Sequence, residues 1–79
     1  MYLGIKDVKP NSKNFSLILT FENGEKRLFD MKPYLETGIF QELKDPVNFD
    51  SVHLSFDTIE WNNQADIDPE ILYKNSEPI

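Results

Sequence analysis

Residues 14–30 constrain this chain most, because they read as one β-hairpin closed at Asn23-Gly24. That dipeptide tolerates the positive φ angles of a two-residue type I′ turn. Before it, Phe15, Leu17, Leu19 and Phe21 alternate with Ser16, Ile18 and Thr20; after it, the return strand carries Leu28 and Phe29. Counting outward from a two-residue turn pairs Phe21 with Lys26, Leu19 with Leu28 and Ile18 with Phe29. The last two pairs then lie on opposite faces of the ribbon, so the rest of the chain is expected to cover at least one of them. The same count sets Glu22 against Glu25, a like-charge pair that a longer loop would relieve.

At 79 residues the chain makes a single domain, 1–79. A domain of this size buries roughly 60–65% of its unfolded surface, so the six Phe, three Tyr and one Trp carry much of its core. The absence of cysteine excludes a disulfide framework and a thiolate metal site. The opening Met1-Tyr2-Leu3-Gly4-Ile5-Lys6 lacks the pattern of a secretion signal, and no stretch is apolar for the ~20 residues a membrane span needs. The expected setting is the cytoplasm.

A first strand is expected over residues 2–9, stopped by Pro10-Asn11 and short enough in its connection to join the hairpin. Asp30 and Pro33 signal a single helical turn, which Gly38 breaks. A second short helix over residues 39–44 takes Thr37 as its cap and ends at Asp45-Pro46; Leu35, Ile39, Phe40 and Leu43 are the candidate cover for the sheet. Phe49 anchors the next connection. Residues 51–56 alternate, with Val52, Leu54 and Phe56 on one face, and return after Asp57-Thr58 through Ile59 and Trp61 as a second hairpin. Asp68 as cap, Pro69 and Glu70 then specify a helix start, with Ile71, Leu72 and Tyr73 on its apolar side and residues 76–79 fraying. The expected fold is α+β: a small antiparallel, hairpin-rich sheet of about five short strands with two or three short helices.

Charge is uneven. Residues 1–35 carry a net +2, whereas residues 36–70 set Lys44 against nine acids for a net −8. One reading is a solvated surface that keeps the chain soluble; the other is a face for a basic partner. Under the second, the candidate partner-binding residues are Glu36, Glu42, Asp57, Glu60, Trp61 and Asp66. Trp61 reads as core or as interface, since indoles serve both. The basic residues Lys6, Lys9, Lys13, Lys26 and Arg27 of the first strands offer the alternative of a nucleic-acid-associated regulatory domain, although the acidic half opposes direct phosphate binding. Self-association is compatible with either.

The chemistry-bearing residues do not assemble into a known site. Asp66-x-Asp68-x-Glu70 begins like a calcium loop but has Ile71 where the loop needs Gly. His53 with Ser51 or Ser55 lies along one strand face, not in a pocket. The three glycines are isolated, so no phosphate-cradling loop is present. The expectation is a non-catalytic protein with no catalytic residues, cofactor or metal.

Three motifs carry a resemblance. They are Phe21-x-Asn23-Gly24-Glu25 with Phe29-Asp30, Pro33-Tyr34-Leu35-x-x-Gly38-x-Phe40-x-x-Leu43, and Ile59-Glu60-Trp61-x-Asn63-x-x-Asp66-x-Asp68-Pro69-Glu70-x-Leu72-Tyr73. Together they resemble the small bacterial family named domain of unknown function 2442, over nearly the whole chain. The resemblance implies an α+β domain without established activity or functional residues. It also implies a gene beside that of another small protein, as in a toxin–antitoxin-like pair. Some relatives carry an added helix-turn-helix domain that has no counterpart in these residues. Asn62 and Gln64 stand where the family pattern implies Pro and Gly, which points to a looser loop after Trp61.

Overall fold

In a computed structural model, residues 3–79 are described; the expected start of the first strand at Tyr2 lies outside them. Among the described residues, seven strands form two antiparallel sheets, two more strands than expected. The first sheet has the order β1-β2-β3-β7, from β1 (Ile5–Asn11), β2 (Ser16–Phe21), β3 (Lys26–Asp30) and β7 (Glu77–Pro78). The second has the order β4-β5-β6, from β4 (His53–Ser55), β5 (Thr58–Glu60) and β6 (Asp66–Ile67). Short helices connect them: 3₁₀ turns at Lys32–Tyr34 and Gly38–Lys44, then α1 (Pro46–Phe49) and α2 (Pro69–Lys74).

The central hairpin forms, but one residue out of the expected register. Leu17 pairs with Phe29, Ile18 with Leu28 and Leu19 with Arg27. The loop therefore has three residues: the Gly24 N–H donates to the Phe21 carbonyl (2.8 Å), and the Phe21 N–H donates to the Glu25 carbonyl (2.9 Å). Gly24 takes φ +86°, the left-handed residue that such a loop requires. This register avoids the Glu22–Glu25 opposition. It also turns Leu17, Leu19, Phe21 and Phe29 into the core and leaves Ile18 and Leu28 outside.

β1 runs through Pro10 and Asn11 instead of stopping before them. It is an edge strand, where a missing N–H costs no ladder bond. A bulge between Ile5 and Asp7 shifts its phase, so Ile5 opposes Phe21 and Val8 opposes Leu19.

The single turn after Asp30 forms as a 3₁₀ turn, with the Asp30 carboxylate accepting from the Lys32 N–H (3.0 Å). The expected helix over residues 39–44 is 3₁₀, and Thr37 makes no side-chain cap to it. Leu43 and Leu35 are buried, but Ile39 is 44% exposed and lies outside the buried core. Asp45-Pro46 both ends that segment and starts α1, because the Asp45 carboxylate caps the Val47 N–H (2.9 Å).

In the second hairpin Ser55 pairs with Thr58, so the turn is Phe56-Asp57 rather than Asp57-Thr58. Phe56 takes φ +57° and is fully exposed, and Leu54 is largely exposed. The expected inward face of residues 51–56 is thus reduced to the half-buried Val52.

The C-terminal segment does not fray. Glu77 and Pro78 pair with β3, and the Ile79 N–H donates to the Lys26 carbonyl (3.1 Å). Asp68 caps α2 through the Glu70 N–H (2.8 Å), as its sequence specifies. Ile67 and Leu72 join Trp61 in the common core, while Ile71 lies largely outside it.

Candidate acidic surface

Trp61 is fully buried and its indole N–H donates to the Phe49 carbonyl (3.0 Å), with the Phe40 and Phe49 rings each 6.3 Å away. It is core, and it is removed from the candidate interface. The other five candidates divide by location. Glu36 is exposed and ion-paired to Lys44 (2.7 Å). Glu42 is exposed and accepts from the Asn63 side chain (3.1 Å). Asp57 sits half-buried in the β4–β5 turn, where its carbonyl accepts from the Ile5 N–H (2.8 Å).

Only Glu60 and Asp66 are brought side by side. They oppose each other directly across β5 and β6, on the face of the second sheet away from the buried Ile59 and Ile67. His53 completes the row on β4, with Nε2 3.7 Å from Glu60. Among the described residues, no lysine or arginine is ion-paired to Glu60 or Asp66. Directly opposed like charges cost a few tenths of a kcal/mol in a sheet.

Next to this row lies a shallow groove lined by Tyr34, Phe40, Asp66, Ile67, Asp68 and Ile71. Its lining is mainly apolar and includes backbone or side-chain atoms of Asp66 and Asp68. Sequence reasoning assigned Tyr34, Phe40 and Ile71 to packing and Asp68 to capping. Their meeting depends on segments some thirty residues apart, and no local spacing signals it. No group of three or more His, Cys, Asp or Glu among the described residues is placed to hold a metal ion. No helix among the described residues is long and apolar enough to cross a membrane.

The basic residues of the first sheet are dispersed. Arg27 is turned inward: it ion-pairs with Glu25, donates to the Ser76 hydroxyl (2.8 Å) and carbonyl (2.7 Å), and lies 4.3 Å over the Tyr73 ring. Glu25 also accepts from the Tyr73 hydroxyl (2.8 Å). The Arg27 hydrogen bond, then those from Tyr73 and Asn23, hold the Glu25 carboxyl below its ordinary value. Glu25 in turn raises the Tyr73 phenol. Lys9 and Lys26 share the outer face with Asp7, Asp30 and Glu77, so no continuous basic patch forms there.

Two hairpin-rich sheets, short helices and an acidic outer row define a small α+β domain. The chain belongs to the family described as Protein of unknown function (DUF2442), whose model matches residues 5–78. No curated protein and no solved structure matches it.

Proposed function

We propose that this domain is a non-catalytic protein-binding module of the cytoplasm that presents its acidic second half to a small basic protein. The observation that carries this reading is the direct opposition of Glu60 and Asp66 beside an apolar groove. A fold that sets like charges in register retains a local conflict, and such conflicts concentrate where a surface serves something other than stability. A basic side chain placed between the two carboxylates removes the repulsion, and the groove offers apolar area to its neighbours. The gene pairing implied by the family resemblance names the first partner to try, the small protein encoded beside this one, in an antitoxin-like role.

Calorimetric titration of the two purified proteins tests the reading. The expected result is a complex whose affinity falls as salt rises. A Glu60→Gln, Asp66→Asn double variant is expected to bind at least about tenfold more weakly, since charges at an interface rim and core contribute on that scale. No complex at micromolar concentration and low salt overturns it.

A further inference from the structure

The outer face of the first sheet presents a row with an internal antisymmetry. Lys9, Ile18, Leu28 and Glu77 stand in direct register across β1, β2, β3 and β7. Ile18 and Leu28 are 38% and 42% exposed, and Lys9 and Glu77 are exposed at either end. On one side of this row lie Asp7, Thr20 and Lys26, and on the other Asn11, Ser16 and Asp30.

We propose that this face docks a second copy of the chain, sheet on sheet, about a two-fold axis parallel to the strands. Such an axis keeps the strand direction and reverses the order of strands, so β1 covers β7 of the other copy and β2 covers β3. Lys9 then meets Glu77 of the second copy, and Ile18 meets Leu28, each contact occurring twice as isologous symmetry demands. Lysine and glutamate are long enough to meet across the ~10 Å between packed sheets, and aligned packing is the geometry twisted sheets favour.

Charge selects this axis over the other in-plane choice. A two-fold perpendicular to the strands sets Lys9 on Lys9 and Glu77 on Glu77. It offers Lys26 against Asp30 in return, but Asp30 is already paired with Lys32 within the chain (3.2 Å). In the strand-parallel arrangement Lys26 meets Thr20, and Asp30 lies over the position of Ser16, which is buried with its hydroxyl donating to Asn14 (2.6 Å), so neither charge faces a like charge.

The area sets the strength. Three strands of five to seven residues and the two-residue β7, ~4.8 Å apart, cover roughly 300 Å² per copy, below the size of stable interfaces. The dimer therefore exchanges rapidly and fills only at high concentration.

Sedimentation equilibrium from about 20 μM to about 1 mM, the range of weak associations, tests this. The weight-average mass is expected to climb from the 9.3 kDa of one chain toward twice that value. Lys9→Glu and Glu77→Lys should each hold it at the monomer, and the double variant should restore association. Thermal melts of all three check that the fold is retained. A mass that stays monomeric throughout overturns the proposal, as do single variants that associate like the parent or a double variant that fails to recover. None of these residues belongs to the Glu60–Asp66 surface, so this test stands or falls apart from the partner titration.

Discussion

Gln64 occupies in its loop the place that Gly24 holds in the first hairpin. The Gln64 N–H donates to the Trp61 carbonyl (2.9 Å) and the Trp61 N–H to the Ala65 carbonyl (2.9 Å), matching Gly24 with Phe21 and Phe21 with Glu25. Asn63 accepts from the Ala65 N–H (3.0 Å) as Asn23 accepts from the Glu25 N–H (2.9 Å). The loop after Trp61 is therefore as tightly closed as the first, not looser, and Gln64 is held at φ +71° to close it. Gln64→Gly is expected to stabilise the protein by about 1 kcal/mol, because a left-handed side-chain residue is strained where glycine is not. Chemical denaturation measures it; a midpoint unchanged or lowered contradicts the account.

Leu72 is fully buried, whereas Asp68 contributes one exposed cap. Leu72→Ala should cost ~2–5 kcal/mol, a large share of what so small a domain possesses. Asp68→Ala should cost only ~1 kcal/mol. Melting temperatures should rank parent, Asp68→Ala and Leu72→Ala in descending order.

Arg27 ties residues 76–79 to the hairpin. Lysine cannot reproduce its fork to the Ser76 hydroxyl and carbonyl. Arg27→Lys is expected to raise amide exchange at Ile79, whose N–H donates to the Lys26 carbonyl, well before global unfolding, with Phe21 and Leu19 still protected. Equal exchange in parent and variant would assign the segment's order to β7 pairing alone.

Glu25 gives the fold a pH dependence of definite sign. Its carboxyl is lowered in the folded state, chiefly by Arg27, so the unfolded chain binds the proton more readily. Its contribution is present above the ordinary carboxylate value and is lost as pH falls through the lowered one. Tyr73 acts oppositely: its raised phenol contributes below the ordinary tyrosine value and loses that contribution as pH rises through the raised one. Glu25→Gln should flatten the acid limb of a stability–pH profile and, by removing the group that raises Tyr73, flatten the alkaline limb as well.

The local signals in the sequence were sufficient where chemistry is local. Asn23-Gly24 marked a hairpin, Asp68-Pro69-Glu70 marked a capped helix start, and the motifs from Phe21 to Tyr73 marked the family and its α+β class. Asp45-Pro46 shows the limit of that reasoning. It carries the same start signal as Asp68-Pro69 yet reads as a stop when the segment before it is helical.

The register of the hairpin was beyond any local rule, since Leu28 and Phe29 are adjacent and both apolar. Packing decided between them. Phe29 turns inward to stack on Tyr34, with ring centroids 5.4 Å apart, and Arg27 turns inward with it to reach Ser76, 49 residues on. That choice sends Leu28 outward beside Ile18 and makes the first sheet's open face. The expected inward face of Val52, Leu54 and Phe56 failed for the same reason. Alternation says that a strand has two faces, but burial depends on what lies above each. Only the folded chain brings Asp66 beside Glu60, six residues back across a tight loop, and places Tyr34 and Phe40 near Ile71, some thirty residues on, because those meetings follow from strand order and loop length, not from residue type.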